Sequence, residues 1–239
     1  MSTLGSIYRA IRSLLLAEEC IVCGNNISHN MHGICTMCRF NVPMTYFWRD
    51  KENPVYEKLS ALVPIAEASA FIYYTDKSPW RSMIHSFKYR NAWRTALDMG
   101  RWYGAELKAS GRYDDIDVII PVPLHPLKRI RRGYNQSSYI ADGISQSLGK
   151  RVLRRATRRR RNNPSQTHHR AHDRWGNVEA LFSVTRPEEL AGKHILIVDD
   201  VLTTGATMIS LIQSILEAVP DCRISVATLA VTTYITAIR

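Results

Sequence analysis

Residues 194–207 read HILIVDDVLTTGAT, and no other stretch of the chain restricts its fold as tightly. The apolar run at its start is too short for a helix and too continuous for a half-exposed strand, so it reads as a strand buried on both faces. That strand is expected to stop at two adjacent carboxylates, Asp199 and Asp200. A loop of small residues over 202–207 then leads into helical spacing over 206–219, with Met208, Leu211, Ile212, Ile215, Leu216 and Val219 turned inward. Two more buried runs follow the same pattern, at 117–122 (DVIIPV) and 224–231. Residues 136–148 are helical, with Ile140, Ile144 and Leu148 spaced by four, and 93–107 offers an apolar face of Leu97, Trp102, Tyr103 and Leu107. Residues 62–74 carry the β-branched and aromatic side chains of a strand or hairpin. Buried strands alternating with helices specify an α/β fold, a parallel sheet flanked by helices.

In such sheets ligands sit beyond the carboxyl ends of the strands. The loop after Asp200 supplies hydroxyls from Thr203, Thr204 and Thr207, together with backbone N–H groups at the positive end of a helix, which make an anion cradle. Gly205 permits close backbone approach. Carboxylates one loop away from a bound phosphate suit the hydroxyls of a sugar. The combination describes a ribose 5-phosphate site rather than a triphosphate site, because the Walker lysine and a G-x-G-x-x-G are both missing.

Four of the five cysteines, Cys20, Cys23, Cys35 and Cys38, are spaced C-x2-C-x11-C-x2-C. Two close pairs on tight turns present four thiolates to one ion, and soft sulfur ligands favour zinc in a structural role. His29 and His32 lie between the pairs as substitute ligands, and Cys222 stands apart as a core residue. The expected organisation is an N-terminal helix and zinc module over 1–45, a connector over 42–59, and a larger domain over 60–239 with a hood at about 60–92.

A helix is expected near the start, with Ile7, Ile11, Leu14 and Leu15 on one face; it is too short and too charged for a signal peptide. No segment approaches the roughly 18–20 apolar residues that span a bilayer, so no membrane insertion is expected and a cytoplasmic location is the default. The net charge of +11 is unevenly spread. Seven arginines fall within 151–161, and Lys128, Arg129, Arg131 and Arg132 form a second cluster, both suited to pyrophosphate or a nucleic-acid backbone.

VDDVLTTGAT resembles the motif by which type I phosphoribosyltransferases bind phosphoribosyl pyrophosphate (PRPP): a hydrophobic strand, two acids, then T-T-G-x-T. The resemblance narrows when the motifs are taken in order. The four-cysteine module, IHSFKYR, PVPLHPLKRIRRGYNQ, QTHHRAHDRWGNV and the acidic strand end are together similar to the ComF family of competence-associated proteins, from about Cys20 to the last strand. It implies a type I phosphoribosyltransferase fold in which Asp199 and Asp200 hold the ribose hydroxyls and Thr203, Thr204, Gly205, Ala206 and Thr207 hold the 5′-phosphate. It also implies a pyrophosphate loop of Val122, Pro123, Leu124 and His125, with Lys128, Arg131 and Arg132 as anion contacts. Tyr134, beside Asn135 and Gln136 in the same motif, reads equally as a core residue. Lys88 and Tyr89 fall in the hood, where Lys88 could reach pyrophosphate. Gln166, Thr167, Arg174 and Asn177 match the family's flexible loop, while His168 and His169 depart from it. Asp199, Asp200, Arg132 and Lys88 are the implied catalytic set.

Two functions remain open from the sequence. One is a Mg²⁺-dependent phosphoribosyltransferase acting on an unidentified nitrogenous acceptor. The other is a DNA-uptake protein that takes PRPP as a ligand and engages single-stranded DNA, the arginine tract providing charge and Trp93, Tyr103 and Trp175 providing stacking platforms.

Overall fold

The computed structural model describes residues 18–27, 33–75, 77–89, 92–160 and 181–233. The helix expected near the start, His29 and His32, and Gln166, Thr167, His168, His169, Arg174, Trp175 and Asn177 lie outside the described residues, as do the side chains of Lys88 and Tyr89.

The described residues open with a small hairpin, β1 (Glu18–Glu19) and β2 (Asn26–Ile27), followed by the short helix α1 (Thr36–Phe40). After a 3-10 turn (Phe47–Arg49) come α2 (Pro54–Ser60), β3 (Ala68–Tyr74), α3 (Trp80–Tyr89) and α4 (Trp93–Ser110). Then follow β4 (Val118–Pro121), α5 (Pro126–Arg132), α6 (Gln136–Leu148), β5 (Arg151–Val152) and the antiparallel pair β6 (Thr157–Arg159) and β7 (Phe182–Val184). The last elements are β8 (His194–Leu202), α7 (Ala206–Ala218) and β9 (Arg223–Thr232). The central sheet has five parallel strands in the order β3-β9-β8-β4-β5. The expected α/β class is the observed one. No helix among the described residues is long and apolar enough to cross a membrane.

The sheet buries apolar side chains on both faces, as the unbroken runs require. Leu196 and Val198 face a layer that holds Tyr103, Ile140 and Ile144, whereas Ile195 and Ile197 face Met208, Leu211 and Ile215 of α7. The two helices on the first face meet at unusually short range through three glycines. A methyl group on Gly100 would lie 2.3 Å from the Ile140 carbonyl oxygen, and one on Gly143 only 2.1 Å from that of Leu97. An alanine at either position cannot be accommodated without moving a backbone.

Of the two alternatives for residues 62–74 the strand is the one observed, running from Ala68 parallel to β9. One expectation is corrected. Residues 42–59 are not a connector. The Tyr73 N–H donates to the Pro43 carbonyl at 2.8 Å, Trp48 is buried between Phe71 and Tyr103, and Val55 and Leu59 are fully enclosed. Burying each of these side chains contributes about 1.5–3 kcal/mol, which holds the segment to the sheet. Asn53 caps α2 by accepting from Val55 N and Tyr56 N, and Pro54 fills the first helical turn, a start signal visible in the sequence.

At the opposite end of the sheet from the acidic pair, His194 is buried, with Nε2 2.8 Å from Ser225 Oγ and Nδ1 3.0 Å from Asp115. The order acid, imidazole, hydroxyl imitates a catalytic triad, but Ser225 is fully buried and the arrangement is structural. Burial holds the His194 pKa below its usual value, the Asp115 charge pulling the other way. The unfolded chain therefore binds the proton more readily, and stability falls as pH drops below the unfolded histidine value of about 6.5. Replacing His194 with glutamine is expected to flatten the loss of denaturant midpoint between neutral pH and pH ~5 relative to the parent chain. An identical slope in the two proteins would remove His194 from the effect.

Candidate functional site

β8 does not end at the acids. It stays paired with β9 through Val201↔Ala230 and Leu202↔Val231, so Asp199 and Asp200 are carried half-exposed on regular strand backbone. Ser137, at the start of α6, donates to Asp199 Oδ1 at 2.8 Å, and the same oxygen accepts from the Asp200 N–H at 2.9 Å. These two bonds fix the orientation of the carboxylate. Gly205 begins α7 at φ +87°, a left-handed conformation that any other residue would adopt at a cost. Its neighbours Thr203 and Thr204 are exposed.

A cleft of about 180 Å³ opens beside the acids. Asp199, Asp200 and Thr207 line one side; Val122, Pro123, Leu124, Lys128 and Arg132 line the other. The structure thus brings the acidic strand end and most of the predicted pyrophosphate loop to one cavity. The loop is held in place from behind. Asn135 Nδ2 donates to the Val122 carbonyl at 2.9 Å, and Tyr134 Oη and Gln136 Nε2 donate to the Phe87 carbonyl at 2.5 and 3.2 Å, tying α6 to α3. Tyr134 is a buried core residue, the alternative left open above.

Six of the predicted residues do not line the cavity, Thr203 and Thr204 among them. His125 caps α5, its Nδ1 accepting from Leu127 N at 3.3 Å, and Arg131 is exposed away from the cleft. Gly205 and Ala206 contribute backbone at the start of α7 and do not line the cavity. Tyr103 fails as a stacking platform. It is fully buried, its hydroxyl 2.6 Å from Ser69, because residues 93–110 turn that face toward the sheet. Trp93 is half-buried against the Tyr139 ring at 5.4 Å.

Arg159 was hidden within the arginine tract. It is only 7% exposed and lines the cleft, its guanidinium lying over the Phe182 ring. Burial pulls its pKa below the usual arginine value while the Asp199 charge opposes the shift. Arginine keeps its proton regardless, so the cleft contains a fixed, poorly hydrated cation facing the acid pair. The signal that could have found it is the two-residue alternation of β6, where Thr157 and Arg159 turn inward and Arg158 outward.

The second centre is the cysteine module. The four sulfur atoms of Cys20, Cys23, Cys35 and Cys38 lie within 4.8 Å of one another. Cys23 and Cys35 are 3.8 Å apart, close to the edge of a tetrahedron with metal–sulfur bonds of about 2.3 Å. Burial raises the Cys20 thiol, but N–H groups led by that of Cys35 outweigh it and bring the pKa down to about 7. One thiolate forms readily, and burial then holds Cys38 well above the usual thiol range beside its neighbours. A divalent cation removes that conflict, so the donor set fits one. The module is part of the main core, since Cys20, Val22 and Ile34 pack in the cluster that includes Ala96 and Met99 of α4.

Residues 135–233 match the family model described as a phosphoribosyl transferase domain. Competence protein F of Haemophilus influenzae is 24% identical over 210 residues, covering 80% of this chain and 87% of that protein. DNA utilization protein YhgH of Escherichia coli O6:H1 is 32% identical over 142 residues, or 58% of this chain and 62% of its own length. Among solved structures, adenine phosphoribosyltransferase from Saccharomyces cerevisiae aligns over 75% of this chain and 89% of that one at 13% identity and a TM-score of 0.36, too loosely to carry an argument.

Proposed function

We propose, for a chain that is a homologue of Competence protein F and DNA utilization protein YhgH and carries a phosphoribosyl transferase domain, that its cleft binds Mg²⁺–PRPP and that it serves natural competence by handling incoming single-stranded DNA. The observation that carries the first part is the meeting of Asp199, Asp200 and Thr207 with Lys128, Arg132 and Arg159 around one small cavity. A sugar bearing phosphates at two positions needs hydroxyl acceptors and two anion sites, and the acid pair, the start of α7 and the basic residues offer those groups. The ribose hydroxyls donate to Asp199 and Asp200. The 5′-phosphate takes the N-terminal end of α7 with Thr203, Thr204 and Thr207, and the pyrophosphate faces Lys128 and Arg132. Carboxylate and phosphate oxygens are the ligands Mg²⁺ prefers, and the ion arrives on the substrate's phosphates. It would lower the charge of a departing pyrophosphate, while Arg132 and Arg159 compensate the remainder.

The role in competence rests on the relatives. The arginines of the tract that remain exposed, including Arg155 and Arg158, supply the electrostatics that single-stranded DNA requires. The four cysteines hold Zn²⁺ as a structural ion, consistent with free thiols in a reducing cytoplasm. Titration calorimetry with Mg²⁺–PRPP is expected to show one site per chain. An acceptor screen read by pyrophosphate release separates a transferase from a binding protein. Absence of any PRPP heat would overturn the assignment of the cleft.

Stripping the metal with a chelator is expected to release one zinc per chain and lower Tm by at least about 5 °C. The reason is that Gly33 packs against Thr95 of α4, so the module and the main domain share one core. A chain that contains no zinc after expression in zinc-replete medium would contradict the assignment.

A further inference from the structure

The phosphoribosyl cleft is the end of a longer path. A groove of about 610 Å³ adjoins it, and the two share Pro123, Leu124, Asn135 and Arg159 in their walls. The groove in turn shares Tyr139, Asp142 and Arg154 with a third depression that reaches Arg151 on β5, the edge strand of the sheet. Three cavities therefore run edge to edge from the acid pair, along the flank of α6, to the margin of the sheet.

The chemistry of this path differs from that of the cleft. Arg129, Arg154, Arg155, Arg158 and Arg159 line the groove, against Asp142 as its sole carboxylate among the described residues. That carboxylate is already engaged by Arg154. Arg155 and Arg158 are exposed, so their charge is open to a ligand. An aromatic series accompanies them: Tyr139 meets Tyr134 edge-on at 5.3 Å and lies against Trp93 at 5.4 Å on its other side. Tyr139 is the member that reaches both the groove and the third depression and is half-exposed. A small anion would need a compact cluster of donors. A line of arginines with a ring set among them fits a flexible polymer of phosphates and bases.

We infer that the groove along α6, β5 and β6 binds single-stranded DNA, its phosphodiesters on Arg155 and Arg158 and a base on Tyr139, and that Arg159 couples this site to the PRPP cleft. The strand site rests on and deepens the single-stranded DNA reading above, and the coupling rests on the PRPP reading of the cleft. Arg159 is common to both cavities and faces Asp199, so a ligand in either one changes the field acting on the other. Any such linkage is reciprocal: PRPP alters strand affinity by the same factor as the strand alters PRPP affinity.

The test is fluorescence anisotropy with labelled oligothymidylates of roughly 4 to 16 nucleotides, on the full zinc-loaded chain, with and without Mg²⁺–PRPP. Affinity is expected to rise with length. The double substitution Arg155→Ala with Arg158→Ala should weaken binding about tenfold or more and reduce the salt slope by roughly 1.4, while leaving PRPP calorimetry unchanged. Tyr139→Leu should weaken binding roughly fivefold or more without changing that slope. Arg159→Gln should weaken PRPP binding and abolish the effect of PRPP on strand affinity. Strand affinity unchanged in the Arg155/Arg158 variant would overturn the site. So would equal affinity for inorganic tripolyphosphate and the longest oligonucleotide, which would mark a small-anion site. If the strand results hold and PRPP gives no heat, the groove stands and the reading of the cleft falls. If PRPP binds and Arg159→Gln leaves the linkage intact, the coupling is wrong.

Discussion

Replacing Asp199 and Asp200 together with alanine is expected to abolish Mg²⁺–PRPP binding while the chain remains folded. The fold should survive because the pair sits half-exposed on a strand whose pairing to β9 continues beyond it at Val201 and Leu202. The loss should be large because each carboxylate accepts charged hydrogen bonds worth about 1.5–3 kcal/mol, so two of them correspond to roughly 10²–10⁴-fold in affinity. Electrostatics provides a second readout. Lys128, Arg132 and Arg159 remain around the same cavity in the variant, now without opposing carboxylates. Inorganic pyrophosphate should therefore bind the variant at least as tightly as the parent, while PRPP does not. Ser137→Ala is a milder version. It frees Asp199 Oδ1 from its donor on α6 and should cost about tenfold in PRPP affinity. Retained PRPP affinity in the double variant would sink the assignment of the acid pair.

How far the sequence reaches is clear from particular residues. Residues 136–148 are a helix with the boundaries expected, because Ile140 and Ile144 have no other way to share a face and Gly149 ends it at φ +70°. The strand at 194 was legible as far as its apolar residues went. Its extension through Asp199 to Leu202 depends on pairing with β9, which no local pattern expresses. The segment 42–59 looked like a connector because its buried residues, Trp48, Val55 and Leu59, are separated by polar and proline positions. They are gathered by two short elements, the 3-10 turn with Trp48 and α2 with Val55 and Leu59, too short to show a periodic face. Tyr103 and Arg159 failed in opposite directions. Tyr103 belongs to the apolar face of its helix and is covered by the sheet with Leu107, whereas Arg159 alone is buried among the described arginines of the tract, marked only by the two-residue alternation of β6. The motifs legible in the sequence were those in which adjacent residues act together. What escaped were residues that act across the fold.

The glycines between α4 and α6 show the same limit with the largest expected effect on stability. Gly143→Ala should destabilise the chain by about 3 kcal/mol or more, seen as a fall in Tm of roughly 6–12 °C. On helix propensity alone the change would be favourable by about 0.5–1 kcal/mol. The added methyl, however, would lie 2.1 Å from the Leu97 carbonyl oxygen, 2.5 Å from Arg101 N and 2.7 Å from Gly100 C. All three atoms are backbone, so no rotamer change relieves the contact, and normal separations of about 3.5–4 Å require the helices to part. Parting them loosens Ile140 and Ile144 against the sheet, and it also displaces Ser137, which holds Asp199 from the first turn of the same helix. A weakened PRPP affinity should therefore accompany the lower Tm, although Gly143 does not line the cleft. Denaturant titration and calorimetry on the purified variant check both parts. A Tm within about 1 °C of the parent would mean that the helices can separate without cost, and that the packing of α4 on α6 does not set the position of the acid pair.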